Sequence, residues 1–135
     1  MKFSTVSTIK NLKFFCNQNL KDEPPFINYD FFYYLEIANC TDHNCGWIPE
    51  HILIEENSSI TGIIPNFRKF NSSGEYVFDQ IFANAHHQLD LEYFPKYLSA
   101  IPFTPVTRRK FFYNDEKKTS RKIYKNLVNF LKKKN

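Results

Sequence analysis

Two apolar runs near the middle of the chain constrain the fold more than any other feature. Residues 47–55 and 60–67 hold closely spaced β-branched and aliphatic side chains, and residues 56–59 (ENSS) between them have the composition of a turn. Two such runs joined by a short polar segment predict an antiparallel β-hairpin. Pro65 cannot donate a backbone hydrogen bond, so we expect a bulge or an edge position near it.

A short strand and two helices are predicted ahead of this hairpin. Residues 3–6 suit an edge strand, and Ser7 or Thr8 can cap a helix with apolar positions 9, 12, 15 and 16, which the DEPP sequence of residues 22–25 ends. Asn28 can cap a second helix that reaches residue 39. The predicted apolar positions of this second helix are Phe31, Phe32, Leu35 and Ile37.

The segment after the hairpin predicts a strand, a helix, a second strand and a final helix. These are expected at residues 76–78, 80–89 and 97–101, and from Thr119 or Ser120 onward. The final helix has apolar positions 123, 124, 127, 128 and 131 on one face. The order α-α-β-β-β-α-β-α predicts a mixed α/β domain in layers, with helices beside a mixed sheet and the antiparallel hairpin at its centre.

The length of 135 residues predicts a single domain, and the charge is divided unevenly along it. Residues 1–107 hold seven Lys or Arg against twelve Asp or Glu, a net charge of −5, whereas residues 108–135 hold eleven against two, a net charge of +9. The predicted basic helix of residues 117–135 has two interpretations. It is a solvated helix face, or it binds an anionic partner such as nucleic acid or acidic lipid.

The cysteines and the N-terminus predict a cytoplasmic protein. Cys16, Cys40 and Cys45 cannot all pair within one chain, which favours free thiols in a reducing compartment. Lys10 and Lys13 interrupt the apolar run that a signal peptide requires, and no apolar stretch is long enough to span a membrane. Cys40, His43 and Cys45 have no standard zinc spacing, and His51 is the only nearby fourth ligand, so we expect an ordinary loop and no metal.

Several polar residues lie where predicted elements of residues 74–107 meet, which is where sites are often built. Asp79 either caps the helix that follows it or places a carboxylate at the mouth of a cleft, where it could bind an amine or accept a proton. His86 and His87 are about 100° apart around a helix, so we expect one to pack and the other to face solvent. A catalytic role for His86 stays open, because imidazole titrates near neutral pH.

Proline residues on both sides stiffen the PFTPVT sequence of residues 102–107. Thr104 and Thr107 therefore belong either to a rigid ridge that binds a ligand or to a plain strand end. The chain has only three glycines, Gly46, Gly62 and Gly74, and no P-loop or Rossmann fingerprint. A glycine-rich cradle for the pyrophosphate of an acyl-CoA is therefore excluded from these residues.

The chain resembles the FemAB-like peptidoglycan biosynthesis/recognition proteins of bacteria, which are predicted N-acyltransferases with a GNAT-type fold. The resemblance lies in residues 46–53 (GWIPEHIL), 74–79 (GEYVFD), 93–96 (YFPK) and 101–107 (IPFTPVT), with shorter matches at 25–26, 32, 35–36, 62, 65 and 83–85. It implies a GNAT-like partial lobe that takes part in moving an acyl or aminoacyl group to an amine. The implied donor is an acyl-CoA or an aminoacyl-tRNA, and the implied acceptor is a small-molecule or peptidoglycan-precursor amine.

The resemblance also implies roles for individual residues. Asp79, Glu75 and His86 would hold or deprotonate the amine, and Lys96 would offset developing negative charge or bind phosphate. The implied substrate-binding residues are Tyr76, Tyr93, Lys96, Thr104 and Thr107.

The chain departs from the family in length and at two positions. Family members are longer, and these residues match their N-terminal third, which predicts a truncated or split gene and a partner chain carrying the missing lobe. His86 stands where the family often has an aromatic residue, and Arg108 stands where it commonly has glycine. The chain alone is expected to be inactive. The alternative is a binding module without catalysis, or an inactive remnant, and no nucleic-acid partner is expected.

Overall fold

The computed structural model describes residues 1–12, 25–107, 112–113 and 120–134. Within these residues the strands are β1 (Lys2–Val6), β2 (Trp47–Pro49), β3 (His51–Glu56), β4 (Ser59–Ile64), β5 (Phe67–Lys69), β6 (Lys96–Leu98) and β7 (Phe112–Tyr113). The helices are α1 (Tyr29–Ile37), α2 (Gln80–Gln88) and α3 (Ser120–Lys132), and a 3-10 turn at Pro25–Ile27 precedes α1.

The described strands form two antiparallel sheets, ordered β1-β3-β4-β7 and β2-β5-β6. The hairpin predicted at the centre of the chain is β3 and β4, and its tight turn places Asn57 and Ser58 at φ 51° and 62°. Both residues thus adopt the left-handed conformation that two-residue hairpin turns require. The predicted mixed α/β class is confirmed, and the arrangement is consistent with a partial acyltransferase-like lobe.

The two long strands predicted for the hairpin are wrong in extent, because each is divided between the two sheets. β2 ends at Pro49 before β3 begins, and β4 ends before Pro65 and Asn66 lead into β5. Proline has no N–H to donate, so a regular ladder cannot continue through either position. We call this double crossing, at Glu50 and at Pro65 with Asn66, the crease.

Hydrogen bonds around Asn66 hold the crease together. Its backbone N–H donates to His51 Nδ1 at 3.2 Å, its side-chain amide donates to the Glu50 carbonyl at 3.1 Å, and its side-chain oxygen accepts from Ser99 Oγ at 3.0 Å. Since Nδ1 accepts, the Nε2–H of His51 donates to Glu36 Oε1 of α1 at 2.8 Å. The same Glu36 accepts the backbone N–H of Ile9, so this network ties the crease to α1 and to the N-terminal segment.

The larger sheet is buried on both faces, which explains its continuous apolar sequence. Leu53 and Ile63 face a core that also contains Trp47, Phe32 and Phe67. The opposite face packs against α3 through a second core cluster of Ile52, Ile54, Ile64, Ile123 and Leu127. The predicted final helix is present over Ser120–Lys132, but its predicted apolar face is only partly correct: Ile123 and Leu127 are buried, whereas Tyr124 and Val128 are exposed. The expected start at Thr119 lies outside the described residues.

The cap predicted for α1 is confirmed, but its predicted core face is only partly correct. Asn28 Oδ1 accepts the backbone N–H of Phe31 at 2.8 Å. Phe32 is buried, whereas Ile37 is 59% exposed at the last turn. Tyr29, in the first turn, is buried instead, together with Phe32.

Three other predicted elements differ from the structure. Residues 76–78 form no strand, because Tyr76 has a φ of 55° and cannot continue extended pairing. The strand predicted at 97–101 is limited to β6, and β7 was not predicted at all. Residues 7–12 are not helical, and the remainder of the helix predicted there, residues 13–24, lies outside the described residues.

No helix within the described residues has both the length and the apolarity needed to cross a membrane.

Candidate functional site

The β5–β6 pairing places two lysines side by side. Lys69 and Lys96 are direct partners in the antiparallel register, so both side chains project from the same face of the small sheet. Two like charges opposite each other destabilise a strand pair unless counter-charges lie between them. Glu75 and Asp79, from the segment between the two strands, supply those counter-charges. We call Lys69, Glu75, Asp79, Tyr93 and Lys96 the charge cluster.

Glu75 and Asp79 hold Lys96 from two directions. Lys96 Nζ donates to Glu75 Oε2 at 2.7 Å, to Asp79 Oδ2, and to Ser72 Oγ at 3.1 Å. Tyr93 OH donates to the same Asp79 oxygen at 2.7 Å. All three donor positions of the ammonium group are therefore used, and the direction of the Lys96 side chain is fixed.

Lys69 is the buried end of the charge cluster. Its side chain is fully buried, and its Nζ lies 3.9 Å from the centre of the Trp47 ring and 3.8 Å from Glu75 Oε1. Its ammonium donates to the Ser73 carbonyl at 2.9 Å, and Trp47 Nε1 donates to the same carbonyl at 2.9 Å. The Glu75 oxygen facing Lys69 is buried and accepts no hydrogen bond among the described residues. The buried Lys69 cation is thus stabilised by the Trp47 ring face, the Ser73 carbonyl and the Glu75 carboxylate.

Ion pairs and hydrogen bonds lower the pKa of Asp79 and raise the pKa values of Lys96 and Tyr93. Burial alone would raise the pKa of Asp79, but hydrogen bonds from Lys96, Tyr93 and Ser72 outweigh it and hold that pKa far below its usual range. Burial alone would lower the pKa of Lys96, but its bonds to Asp79 and Glu75 raise it. The hydrogen bond to Asp79 raises the pKa of Tyr93. At neutral pH, Asp79 is an anion and Lys96 a cation.

Burial has the largest effect on Lys69. It lowers the pKa of that ammonium group to about 8, against the opposing attraction of Glu75. Lys69 is therefore the member of the charge cluster whose charge changes closest to neutral pH.

A cleft of about 550 Å³ opens beside Asp79. Its polar wall includes Ser72 and Asp79, and its apolar wall includes Tyr76, Phe78 and Phe94. A carboxylate flanked by aromatic rings suits a ligand that carries a cationic or polar end on an apolar body.

The residues predicted as a site fall into two groups. The structure brings Glu75, Asp79, Tyr93 and Lys96 into contact, and Tyr76 lines the adjoining cleft. Asp79 occupies the N-cap position of α2, but its side chain makes no capping bond and binds Lys96 and Tyr93 instead.

His86, Thr104 and Thr107 lie outside that contact set. The His86 ring packs edge-on against Tyr93 at 5.1 Å, whereas His87 is exposed, as expected for neighbours on a helix. His86 Nδ1 contacts the Phe82 carbonyl at 2.8 Å and must donate to it, which leaves Nε2 as an acceptor in the neutral ring. Thr104 has a buried hydroxyl without a hydrogen-bond partner among the described residues, and Thr107 is exposed. Neither threonine hydroxyl bonds to the described charge cluster.

The loop with Cys40, His43 and Cys45 has an ordinary set of contacts. Cys45 Sγ lies 3.4 Å from the Asn39 carbonyl, and the His43 ring lies against Phe70. His51 is held in the crease, away from this loop. Within the described residues no three metal-binding side chains are grouped.

Sequence reasoning missed Lys69, Ser72 and Ser73. The available signal was the alternation in β5, where Phe67 and Lys69 share one phase and Arg68 the other. A lysine on the inward phase of a strand is unusual enough to mark a buried charge. This alternation of buried and exposed residues can be assigned to a separate strand only when the break at Pro65 is known.

The fold and the charge cluster define a mixed α/β domain with a polar site where β6 and α2 meet. The family model described as FemAB-like, peptidoglycan biosynthesis/recognition, matches residues 6–135, and the chain belongs to this family. The resemblance seen in the sequence is thus confirmed, and the chain is connected with peptidoglycan biosynthesis. No curated protein and no solved structure matches it.

Proposed function

We propose that this chain supplies the amine-binding lobe of an N-acyltransferase that moves an acyl or aminoacyl group to an amine during peptidoglycan biosynthesis. The observation that carries this proposal is the carboxylate of Asp79 on the wall of a cleft, in contact with Lys96 behind it, inside the segment that family membership covers. The Asp79 carboxylate suits the ammonium form of an acceptor amine, and the Lys96 ammonium suits negative charge on a reacting carbonyl oxygen.

Lys96 has the properties of a preorganised electrostatic stabiliser. Its ammonium is held by three hydrogen bonds, its raised pKa keeps it charged, and its side chain remains 18% exposed. A cation that is already fixed before the reaction requires little reorganisation energy when an oxyanion forms beside it.

Asp79 fits a binding role better than a basic one. A carboxyl whose pKa lies far below its usual range is a weak proton acceptor at neutral pH, but it remains an anion that attracts an ammonium group. Proton removal from the acceptor is assigned to His86, whose free Nε2 can accept and whose ring lies against Tyr93. The aromatic rings of Tyr76, Phe78 and Phe94 would pack against the apolar part of the acceptor.

The donor site lies outside these residues in this proposal. Gly46 and Gly74 have φ of 69° and 75° and serve tight turns, and Gly62 lies within β4, so no glycine is available for a phosphate cradle. An acyl-CoA or an aminoacyl-tRNA would therefore be bound mainly by groups outside residues 1–135. We place the reaction in the cytoplasm.

A specific observation favours a second candidate, a binding module without catalysis. Asp79 and Lys96 already neutralise each other, and His86 is not on the wall of the cleft. Such a module would hold the amine without transferring anything to it.

Calorimetry with a matched pair of peptides tests the amine-binding role. We expect a short peptide with a free lysine side chain to bind at least about tenfold more tightly than its Nε-acetylated form, because only the former offers an ammonium to Asp79. Asp79→Asn should abolish this preference, whereas Asp90→Asn, an equal charge change at an exposed position, should retain it.

Equal binding of the two peptides to the wild type, or an unchanged preference in Asp79→Asn, would contradict the proposal. A thiol-release assay with acetyl-CoA and the same peptide, in the presence of a protein that supplies the donor site, then separates the two candidates. Release that depends on Lys96 indicates an acyltransferase, and amine-selective binding without release under these conditions indicates the binding module.

A further inference from the structure

Helix α2 presents an apolar face that nothing in the described structure covers. Positions 81, 82, 85 and 89 recur at i, i+1, i+4 and i+8 and so lie on one side of the helix. Ile81 is 78% exposed and Phe82 64% exposed, and no residue of α2 is buried. A nine-residue helix gains most of its stability from packing an apolar face, so this face needs a partner.

The exposed apolar area continues beyond both ends of the helix. Phe78 is 96% exposed directly before α2, and Leu91 is 57% exposed shortly after it. We call the whole set the α2 surface. Its members are Tyr76, Val77, Phe78, Ile81, Phe82, Leu89 and Leu91.

The size of the α2 surface matches one side of a stable protein interface. Seven side chains of this size and exposure present on the order of 900 Å² of accessible area, whereas the largest apolar patch on a monomer is usually about 300–600 Å². A standard interface buries about 800 Å² on each partner. The α2 surface alone therefore provides enough area for one.

The charges of this segment favour a copy of the same chain as the partner. Between residues 76 and 91 the only Asp, Glu, Lys or Arg residues are Asp79 and Asp90. Asp79 is neutralised by Lys96, so two such surfaces can meet about a twofold axis with little like-charge repulsion. Apolar, weakly charged faces of this kind are typical of homodimers.

We propose that the α2 surface is the interface of a twofold-symmetric homodimer. Because Tyr76, Val77 and Phe78 also line the cleft beside Asp79, the second copy would form the outer wall of that cleft. The candidate site is then incomplete in one chain. This inference concerns assembly and does not depend on the transfer reaction.

Sedimentation equilibrium of the purified chain, from about 1 to 100 µM, tests the proposal. We expect a dimer with a dissociation constant below about 10 µM, the range typical of apolar interfaces of this size. Ile81→Glu should raise this constant at least about tenfold, because it buries a charge in the interface. Ile37→Glu is the matched control, since it places the same charge on a 59% exposed isoleucine of α1 and should not change the constant.

Hydrogen exchange locates the interface independently. We expect the backbone amides of α2 to become more protected as the concentration rises through the dissociation constant, while those of α1 do not change. Unchanged circular dichroism of Ile81→Glu would show that the fold is intact, as expected where α2 buries no residue.

A monomer at 100 µM would overturn the proposal. A dimer that Ile81→Glu does not weaken, or whose α2 amides show no concentration dependence, would overturn it as well, because another face would then be the interface.

Discussion

Lys69 is a buried lysine whose chemistry departs from the usual behaviour of that residue type. A fully buried ammonium between a tryptophan ring and one carboxylate retains only part of the stabilisation that water gives it. Its pKa falls to about 8, compared with about 10.5 for lysine in an unfolded chain. The folded protein therefore releases this proton at a lower pH than the unfolded chain does.

This difference predicts that stability rises with pH. Between about pH 8 and 10.5 the unfolded chain keeps a proton that the folded chain has lost, so the free energy of unfolding should increase, by up to about 3 kcal/mol. Urea unfolding followed by the fluorescence of Trp47, the only tryptophan, measures the effect from pH 7 to 10. Measurements stop at pH 10 because the raised pKa values of Tyr93 and Lys96 act in the opposite direction above it.

Two variants isolate the contribution of Lys69. Lys69→Met keeps the length of the side chain without its charge and should remove the increase from pH 8 to 10. Lys122→Met changes an exposed lysine of α3 and should leave the increase intact. A wild-type slope in Lys69→Met would show that another group titrates.

At the scale of elements, helix α1 shows how local sequence signals act. Asn28 lies at the N-cap of α1 and has an extended backbone, with a ψ of 163°. Its side chain accepts the backbone N–H of Phe31, which has no partner within the first turn of the helix. The first turn carries Tyr29 and Phe32 into the core, so loss of this cap should affect global stability.

Asn28→Ala is expected to lower the free energy of unfolding by about 1 kcal/mol, because the Phe31 N–H loses its acceptor. Asn28→Asp should stay near the wild-type value, since a carboxylate accepts the same bond and interacts favourably with the helix dipole. Urea denaturation gives both values. An equal loss in the two variants would mean that the backbone conformation of Asn28 matters more than its side chain.

The contrast between α1 and α2 shows how far a sequence can predict elements. The Asn28 cap was predictable because it depends on neighbours three residues apart. The Asp79 cap was predicted by the same rule, but two partners 14 and 17 residues away bind its carboxylate more strongly than a backbone N–H would. Likewise, residues 76–78 have strand composition, yet Tyr76 has a positive φ, which an extended strand does not adopt.

For the whole molecule, the packing of α3 on the larger sheet joins the last described helix to strands from the first half of the chain. Ile123 and Leu127 cover Ile52, Ile54 and Ile64, so the last described helix closes a core whose sheet begins near residue 2. The final helix and the hairpin were each predictable from periodicity. Their contact was not, because periodicity identifies an apolar face without identifying what covers it.

Leu127→Ala is expected to cost about 2–4 kcal/mol of stability, since it leaves a cavity between α3 and the sheet. Val128→Ala, on the 49% exposed side of the same helix, should cost less than about 0.5 kcal/mol. Thermal and urea unfolding of both variants check the difference. Similar small losses would mean that α3 contributes little to the folded core.

Only some of the residues that meet in the charge cluster could be singled out from the sequence. Glu75, Asp79, Tyr93 and Lys96 were all singled out from the sequence, and they meet in the structure. Their pairing with Lys69 depends on the strand register and on the division of the hairpin, which single-residue patterns do not encode. Thr104 and Thr107 were grouped with these residues only because prolines make their segment rigid. Proline fixes the local backbone conformation, but it does not determine which part of the molecule the segment contacts.

The crease has a consequence for how a ligand meets the lysines of the small sheet. Two strands cross it side by side, and four hydrogen bonds converge on Asn66, so tilting one sheet against the other would require both crossings to rotate together. The small sheet is therefore held rigidly against the larger one, and its charged groups keep the same orientation whether or not a ligand is bound. Recognition then depends on shape and charge fixed in advance, with little entropy left to lose on binding.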